Sequence, residues 1–266
     1  MPARSALITV MDKAARKAAP RLRRDFGEIS QLQVSRKGPS DFVSNTDQVS
    51  EETLVEILTQ ARPSWGFVLE EGEDIPSQTG ERWIIDPLDG TTNFLHAIPH
   101  FSISIAAEID GQIRAGCVYQ PLTDEFFWAV RGEGAFVHNK RLRVSARRDL
   151  GDSLIATGIP YRGHGDFEEW DRITQQIAPQ VAGIRRFGSA ALDLAWVAAG
   201  RYEGYWEKGL SYWDVAAGVL IAREAGAYVS DYRGGDARIP EGEIIAASPQ
   251  LHPQLHKLIA AGVRKG

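Results

Sequence analysis

Only one cysteine, Cys117, occurs among the 266 residues. A disulfide within the chain is therefore excluded, and the Cys/His spacings of a zinc site are missing. Cys117 lies in the apolar run AGCVY and reads as a buried structural thiol. No apolar run approaches the length that spans a bilayer. Neither sign of charge dominates: 35 acids against 30 bases leave a formal charge of −5. That balance argues against a general nucleic-acid or membrane-surface binder. The basic pairs Arg147-Arg148 and Arg185-Arg186 read as solvated surface features. No G-x-G-x-x-G lies between a strand and a helix, which disfavours a Rossmann fold. Internal repeats, low-complexity tracts and long linkers are lacking too.

What is present is a globular composition, 43% hydrophobic and 24% charged. It suffices for a large core, in one big domain or two closely packed lobes, taken as roughly 1–150 and 151–266. The N-terminal segment 1–24 is basic, with Asp12 its only acid. Leu7, Ile8, Val10, Met11, Ala14, Ala15 and Ala18 can share one helical face. A docked amphipathic helix over 4–24 in a cytoplasmic protein is expected rather than a transit peptide. Residues 31–47 read as a polar loop, and 47–61 as a helix stopped by Arg62-Pro63. Strands are expected at 66–69 and 82–85, with a short helix from Thr91. After Pro99, four short alternating segments joined by Gly or Asn turns read as an antiparallel sheet. Further strands (153–157, 183–187, 202–206, 227–230, 243–247) alternate with helices at 167–178, 189–199 and 213–225, and a last helix starts at Pro249. The class is α/β (α+β), with helices between layers.

The stretch WIIDPLDGTTNFLH, residues 83–96, runs a buried strand into Asp86 and Asp89 across a Pro87-Leu88 turn. Two close carboxylates repel unless they are solvated, protonated or neutralised by a cation. Mg²⁺ takes carboxylate, carbonyl and water oxygens, so both acids and the Leu88 carbonyl qualify as ligands. Gly90-Thr91-Thr92-Asn93 then opens a helix, whose free N–H groups suit an anion. The combination suggests phosphoryl chemistry. The ordinary alternative makes Asp86 and Asp89 turn formers, with Thr91 as N-cap. Glu70-Glu71 stands at the end of the preceding strand and would meet Asp86 if the two strands pair; otherwise it is a solvated pair. Asp214, in SYWDVAAG, and Asp47, in SDFVSNTD, each stand at an expected helix start, where an N-cap is the default. Acids at several consecutive element ends fit one common polar cleft better.

Taken together these stretches resemble the inositol monophosphatase family. WIIDPLDGTTNF matches its first signature, and WDVAAGVLIAREAGAYVSD resembles its second. KGPSDFVSNTD is similar to the family's mobile loop, and LEEGE to its Gly-Glu-Glu segment with Leu69 in place of glycine. FGSAALDLAWVAAGRYEGYWEKGL is similar to its substrate-facing stretch. The resemblance runs over nearly the whole chain, in family order. It implies a layered α-β-α-β-α sandwich of the inositol monophosphatase and fructose-1,6-bisphosphatase type. It also implies Mg²⁺-dependent hydrolysis of a phosphate monoester, with two or three ions.

Carried over by position, Glu70, Asp86 and the Leu88 carbonyl hold the first metal, and Asp86, Asp89 and Asp214 the second. Glu70 helps with a weak third. Thr91, polarised by Asp47, orients the attacking water. Asp89, Gly90, Thr91, the Ala190 N–H and Glu207 bind substrate; without the family match, Glu207 is as readily a strand-end surface acid. Glu71 stands behind the ligands, and Lys37 lies on the mobile loop. Lys208, where relatives are often apolar, would salt-bridge locally or alter the cleft mouth. His96, His100 and His164 are too dispersed for a metal cluster, and Trp196, Trp206 and Trp213 read as packing residues. The substrate implied is inositol 1-phosphate. Histidinol phosphate, fructose 1,6-bisphosphate and a 3′-phosphonucleotide are the alternatives. An obvious second cluster of bases for a second phosphate is missing, which favours monophosphates, while Arg162 and Arg185 leave a second phosphate open. A regulatory RNA- or protein-binding role on the same fold is the alternative of another class. A homodimer is the family expectation.

Overall fold

Ser5 opens the first helix by accepting the Ile8 N–H at 3.3 Å, which satisfies one of the free amides of a helix start. The structure, a computed structural model, describes residues 5–28, 34–36, 42–160 and 165–263. The elements of the N-terminal half are α1 (Ala6–Gly27), β1 (Val34–Arg36), β2 (Phe42–Ser44), α2 (Asn45–Ala61), β3 (Gly66–Leu69), β4 (Arg82–Asp89), α3 (Thr91–Leu95), β5 (Ser102–Ile109), β6 (Gln112–Gln120), β7 (Glu125–Val130), β8 (Gly134–Val137) and β9 (Lys140–Arg141). The C-terminal half adds β10 (Leu154–Thr157), α4 (Phe167–Ile177), β11 (Gly183–Arg185), α5 (Ala190–Ala198), β12 (Gly204–Glu207), α6 (Tyr212–Glu224), β13 (Tyr228–Ser230), β14 (Ile244–Ala247) and α7 (His252–Val263). The segment 31–47, read as a loop from its polarity, contains the short antiparallel pair β1–β2 and the start of α2.

Strands β3 to β9 form a seven-stranded sheet in chain order. Only β3 and β4 pair in parallel; the rest are antiparallel. The second sheet has the order β11-β10-β12-β14-β13. It is mixed, with β10 parallel to both β11 and β12. Four apolar clusters show how the layers stack. Ile8, Met11 and Leu22 of α1 and Leu54 and Leu58 of α2 pack on Trp83, Ile85, Ile105 and Cys117. On the opposite face of that sheet, Ile84, Ala106 and Val118 meet Leu192 and Ala195 of α5 and Ala217 and Ile221 of α6. The outer sides of the same two helices cover Ala156, Tyr205 and Ala246 of the second sheet. Its far face packs under α4 and α7. The result is the α-β-α-β-α sandwich expected, and burial of these clusters outweighs the Pro20 that α1 carries in its interior.

Candidate active site

The two acids of DPLD lie inside a strand rather than after it. β4 continues to Asp89, and the Pro87-Leu88 turn expected from sequence is a β-bulge. Asp86 faces Ser104 and Asp89 faces Ser102, so three steps on β4 oppose two on β5. The extra residue reverses the alternation. Leu88 consequently joins the α1–α2 cluster, while Asp86 and Asp89 turn toward the α5–α6 layer. A regular strand would put residues three apart on opposite faces. Ser50 of α2 supports the bulge by donating to the Pro87 carbonyl at 3.2 Å.

β3 and β4 pair with Leu69 beside Ile85, so Glu70 stands next to Asp86, and their carboxyl groups share a hydrogen bond. Glu51 of α2 holds this corner, accepting the Glu71 N–H at 3.0 Å. Asp47 lies in the first turn of α2, two residues beyond its start and not at the N-cap. It is buried, and its charge acts on Glu70.

Asp214 is likewise not an N-cap. Ser211 caps α6, and Asp214 accepts the Ser211 N–H at 2.6 Å from the first turn. From there its side chain faces the bulge. One carboxylate oxygen each of Asp86, Asp89 and Asp214 lies within 4.8 Å of the others. Burial is the main cause that pushes Glu70, Asp86, Asp89 and Asp214 above the ordinary carboxylate range, and mutual repulsion adds to it at Glu70, Asp86 and Asp214. Asp214 is pushed up to about 8. Asp89 differs in having strong donors: Ser189 Oγ at 2.6 Å, Ala191 N at 2.8 Å and Ala190 N at 3.1 Å. It rests on the N-terminus of α5, and these donors offset part of its burial penalty.

Two features tie the carriers of these acids together. Glu108 of β5 accepts Arg82 Nε of β4 at 2.7 Å and Tyr212 Oη of α6 at 2.6 Å. Asn93 of α3 donates to the Phe187 carbonyl at 2.7 Å and the His100 carbonyl at 2.8 Å. Gly90, not Thr91, caps α3, and the Thr91 hydroxyl donates to the Leu88 carbonyl at 3.0 Å.

A cleft of about 310 Å³ gathers Glu70, Asp89, Gly90, Thr91, Ala190, Glu207 and Asp214. It thus collects residues from both sheets and both central helices. Glu207, at the end of β12, is half-buried and accepts Tyr205 Oη. Burial is the leading cause that pushes it up to about 7. Its carboxyl lies so close to Gly158 that an added Cβ there would come within 1.8 Å of Oε1. It is therefore not the surface acid that its place at a strand end also allowed.

A sequence model of the inositol monophosphatase family matches residues 4–265. The chain belongs to the inositol monophosphatase family. An inositol-1-monophosphatase of Rhizobium meliloti is 50% identical over 97% of this chain and 97% of its own length. A Vibrio cholerae protein named Nus factor SuhB is 42% identical over 92% of each chain. The crystal structure of the extragenic suppressor protein suhB from Bartonella henselae superposes with a TM-score of 0.93 at 48% identity, covering 96% of this chain and 98% of that one.

Of the family positions carried over from sequence, Lys37 lies outside the described residues, as do Arg162 and His164. His100 is buried among Phe187 and Trp196 rings. Lys208 forms the local salt bridge expected, to Glu169 at 2.8 Å. Residues that sequence reasoning passed over are Glu51, Asn93, Ser189 and Arg186. Arg186, read with Arg185 as a solvated surface feature, is exposed as expected and also borders the cleft. The short segment FGSAALD held the available clue, because Ser189 opens an apolar helix whose first N–H groups need acceptors.

Proposed function

We propose that this chain is a Mg²⁺-dependent phosphate monoester hydrolase that releases inositol and phosphate from inositol 1-phosphate. The observation that carries this reading is the convergence of Asp86, Asp89 and Asp214 within 4.8 Å, the last two lining the cleft that also holds Thr91, Ala190 and Glu207. The name of the Rhizobium meliloti relative supports the substrate.

The donor set fits a hard divalent cation. All ligands are oxygens, and a buried acidic cluster that strains to hold protons gains most from a counter-charge. Asp86, Asp89, Asp214, Glu70 and the Leu88 carbonyl would hold two or three Mg²⁺. Bound there, the ions supply an activated water near neutral pH and neutralise charge on the phosphate. The chain's own residues do the rest. Thr91 and Asp47 orient the attacking water. The Gly90–Thr91 turn receives the phosphate. Asp89 and Glu207 bind hydroxyls of the leaving alcohol, a task suited to carboxylates because they accept only, and the Ala190 N–H joins them by sharing or giving up its 3.1 Å bond to Asp89. Glu71 supports Glu70, and the family resemblance alone assigns Lys37, outside the described residues, to the metal or the phosphate.

The proposal includes a cytoplasmic homodimer. No helix among the described residues is long and apolar enough to cross a membrane. Sedimentation equilibrium checks the dimer. The activity is checked by phosphate release from inositol 1-phosphate, histidinol phosphate, fructose 1,6-bisphosphate and a 3′-phosphonucleotide, with and without Mg²⁺. Fast, Mg²⁺-dependent release from inositol 1-phosphate is expected; equal slow rates on all four would overturn the assignment. The relative named Nus factor SuhB favours a second, regulatory role. Salt-dependent RNA binding by an Asp86→Asn variant would support it, and no binding would count against it.

A further inference from the structure

Arg186 is exposed and borders the cleft, and it differs from several other arginines in having no acidic partner. Arg82 pairs with Glu108, Arg147 with Glu203, Arg201 with Glu125 and Arg223 with Asp236. The Arg186 guanidinium makes no hydrogen bond or ion pair among the described residues. It stands at the wall of the cleft, the one cation among the described residues that line this part of it; Lys208 lines the adjoining part and is paired with Glu169. Arg186 Nη1 lies over Gly188, where a Cβ would come within 2.6 Å and φ is +84°. A side chain at position 188 would both strain the backbone and displace the guanidinium. Across the same cleft its charge acts on Glu207.

We infer that Arg186 is a substrate-recognition residue which, with Glu207, reads a vicinal diol on the leaving alcohol. The inference rests on the phosphatase reading above and narrows its substrate class. A guanidinium only donates and a carboxylate only accepts. A hydroxyl does both, so neighbouring hydroxyls of a polyol can donate to Glu207 and accept from Arg186. A second anionic group on the substrate would be drawn to Arg186 but repelled by Glu207 beside it. The pairing therefore selects a monophosphate whose alcohol is neutral and carries adjacent hydroxyls.

The test compares inositol 1-phosphate with p-nitrophenyl phosphate, which has no hydroxyl on its leaving group, in the Mg²⁺-loaded full chain. The readout is the ratio of kcat/KM for the two esters in wild type, Arg186→Ala and Arg186→Lys, each checked for an unchanged melting profile. The ratio falls roughly tenfold in Arg186→Ala, mostly through KM for inositol 1-phosphate, as expected for loss of a charge-assisted hydrogen bond. Arg186→Lys, which keeps one donor in place of the fork, recovers part of it. A ratio that stays within twofold of wild type in Arg186→Ala, whether both esters are lost together or neither is affected, overturns the diol assignment alone. A wild type that releases phosphate from neither ester overturns the phosphatase reading and this assignment together.

Discussion

The Asp89 carboxylate accepts the Ala191 main-chain N–H at 2.8 Å, across a sequence separation of 102 residues. This bond gives Asp89 a structural role across the fold besides its proposed functional one. The main-chain donor of Asp86 is instead the nearby Leu88 N–H at 2.9 Å, a bond that an asparagine Oδ1 can still accept. An asparagine at position 89 would point an NH₂ group at N–H donors, or leave one of them bare. Asp89→Asn is expected to lose activity and about 1–3 kcal/mol of stability. Asp86→Asn, which relieves repulsion from Glu70, Asp89 and Asp214, is expected to lose activity and keep or gain stability. Urea unfolding of both variants beside a phosphate-release assay separates the two cases.

The acidic cluster also sets a pH dependence for the metal-free protein. The folded-state pKa values of Glu70, Asp86, Asp89 and Asp214 are raised, with Asp214 near 8. The folded protein therefore holds protons that the unfolded chain releases above about pH 4. Their contribution to stability is fully present below that value and is lost as pH rises through 8. The slope is at most about 1.4 kcal/mol per pH unit for each proton retained. Melting with EDTA should show a falling Tm over pH 4–8, and Mg²⁺ should restore most at the alkaline end. A Tm rising over that range without metal would contradict the assignment.

Asn93 tests how far the phosphate-side turn depends on the far wall. Its amide satisfies the Phe187 and His100 carbonyls together, and it is 3% exposed. Asn93→Ala leaves both acceptors buried without that donor and should cost about 2–3 kcal/mol. Because Thr91 and Ser189 lie on either side of this clamp, kcat should fall by about tenfold, more than KM changes. Steady-state kinetics below the unfolding transition of the variant would show whether the loss is catalytic or one of folding alone.

Much of this site was legible in the chain. Glu70 beside Asp86 followed from two neighbouring strands, and the parallel pairing of β3 and β4 delivers it. The layered fold followed from the family signatures. Three points were not legible. The bulge at Asp86–Asp89 depends on the partner strand's register, which local propensity does not encode. An N-cap stood as the default alternative for Asp47 and Asp214 because helix ends are uncertain by one or two residues; a shift of that size moves an acid from the cap to the first turn. Arg186 is exposed, as its place in a surface pair implied; that it also borders the cleft depends on tertiary packing, which the pair does not encode.

Glu108 joins Arg82 near the start of the strand that carries Asp86 to Tyr212 near the start of the helix that carries Asp214. Such a cross-brace fixes the spacing of the acids from behind, so their repulsion cannot be relaxed by letting the helix drift outward. The metal-free protein is left with one outlet, the uptake of protons, and stays open to the cation that replaces them. Glu108→Ala should give the helix that freedom: potentiometric titration would find fewer protons retained between pH 4 and 8, and Mg²⁺ would bind more weakly to a vacant site no longer held at its working width.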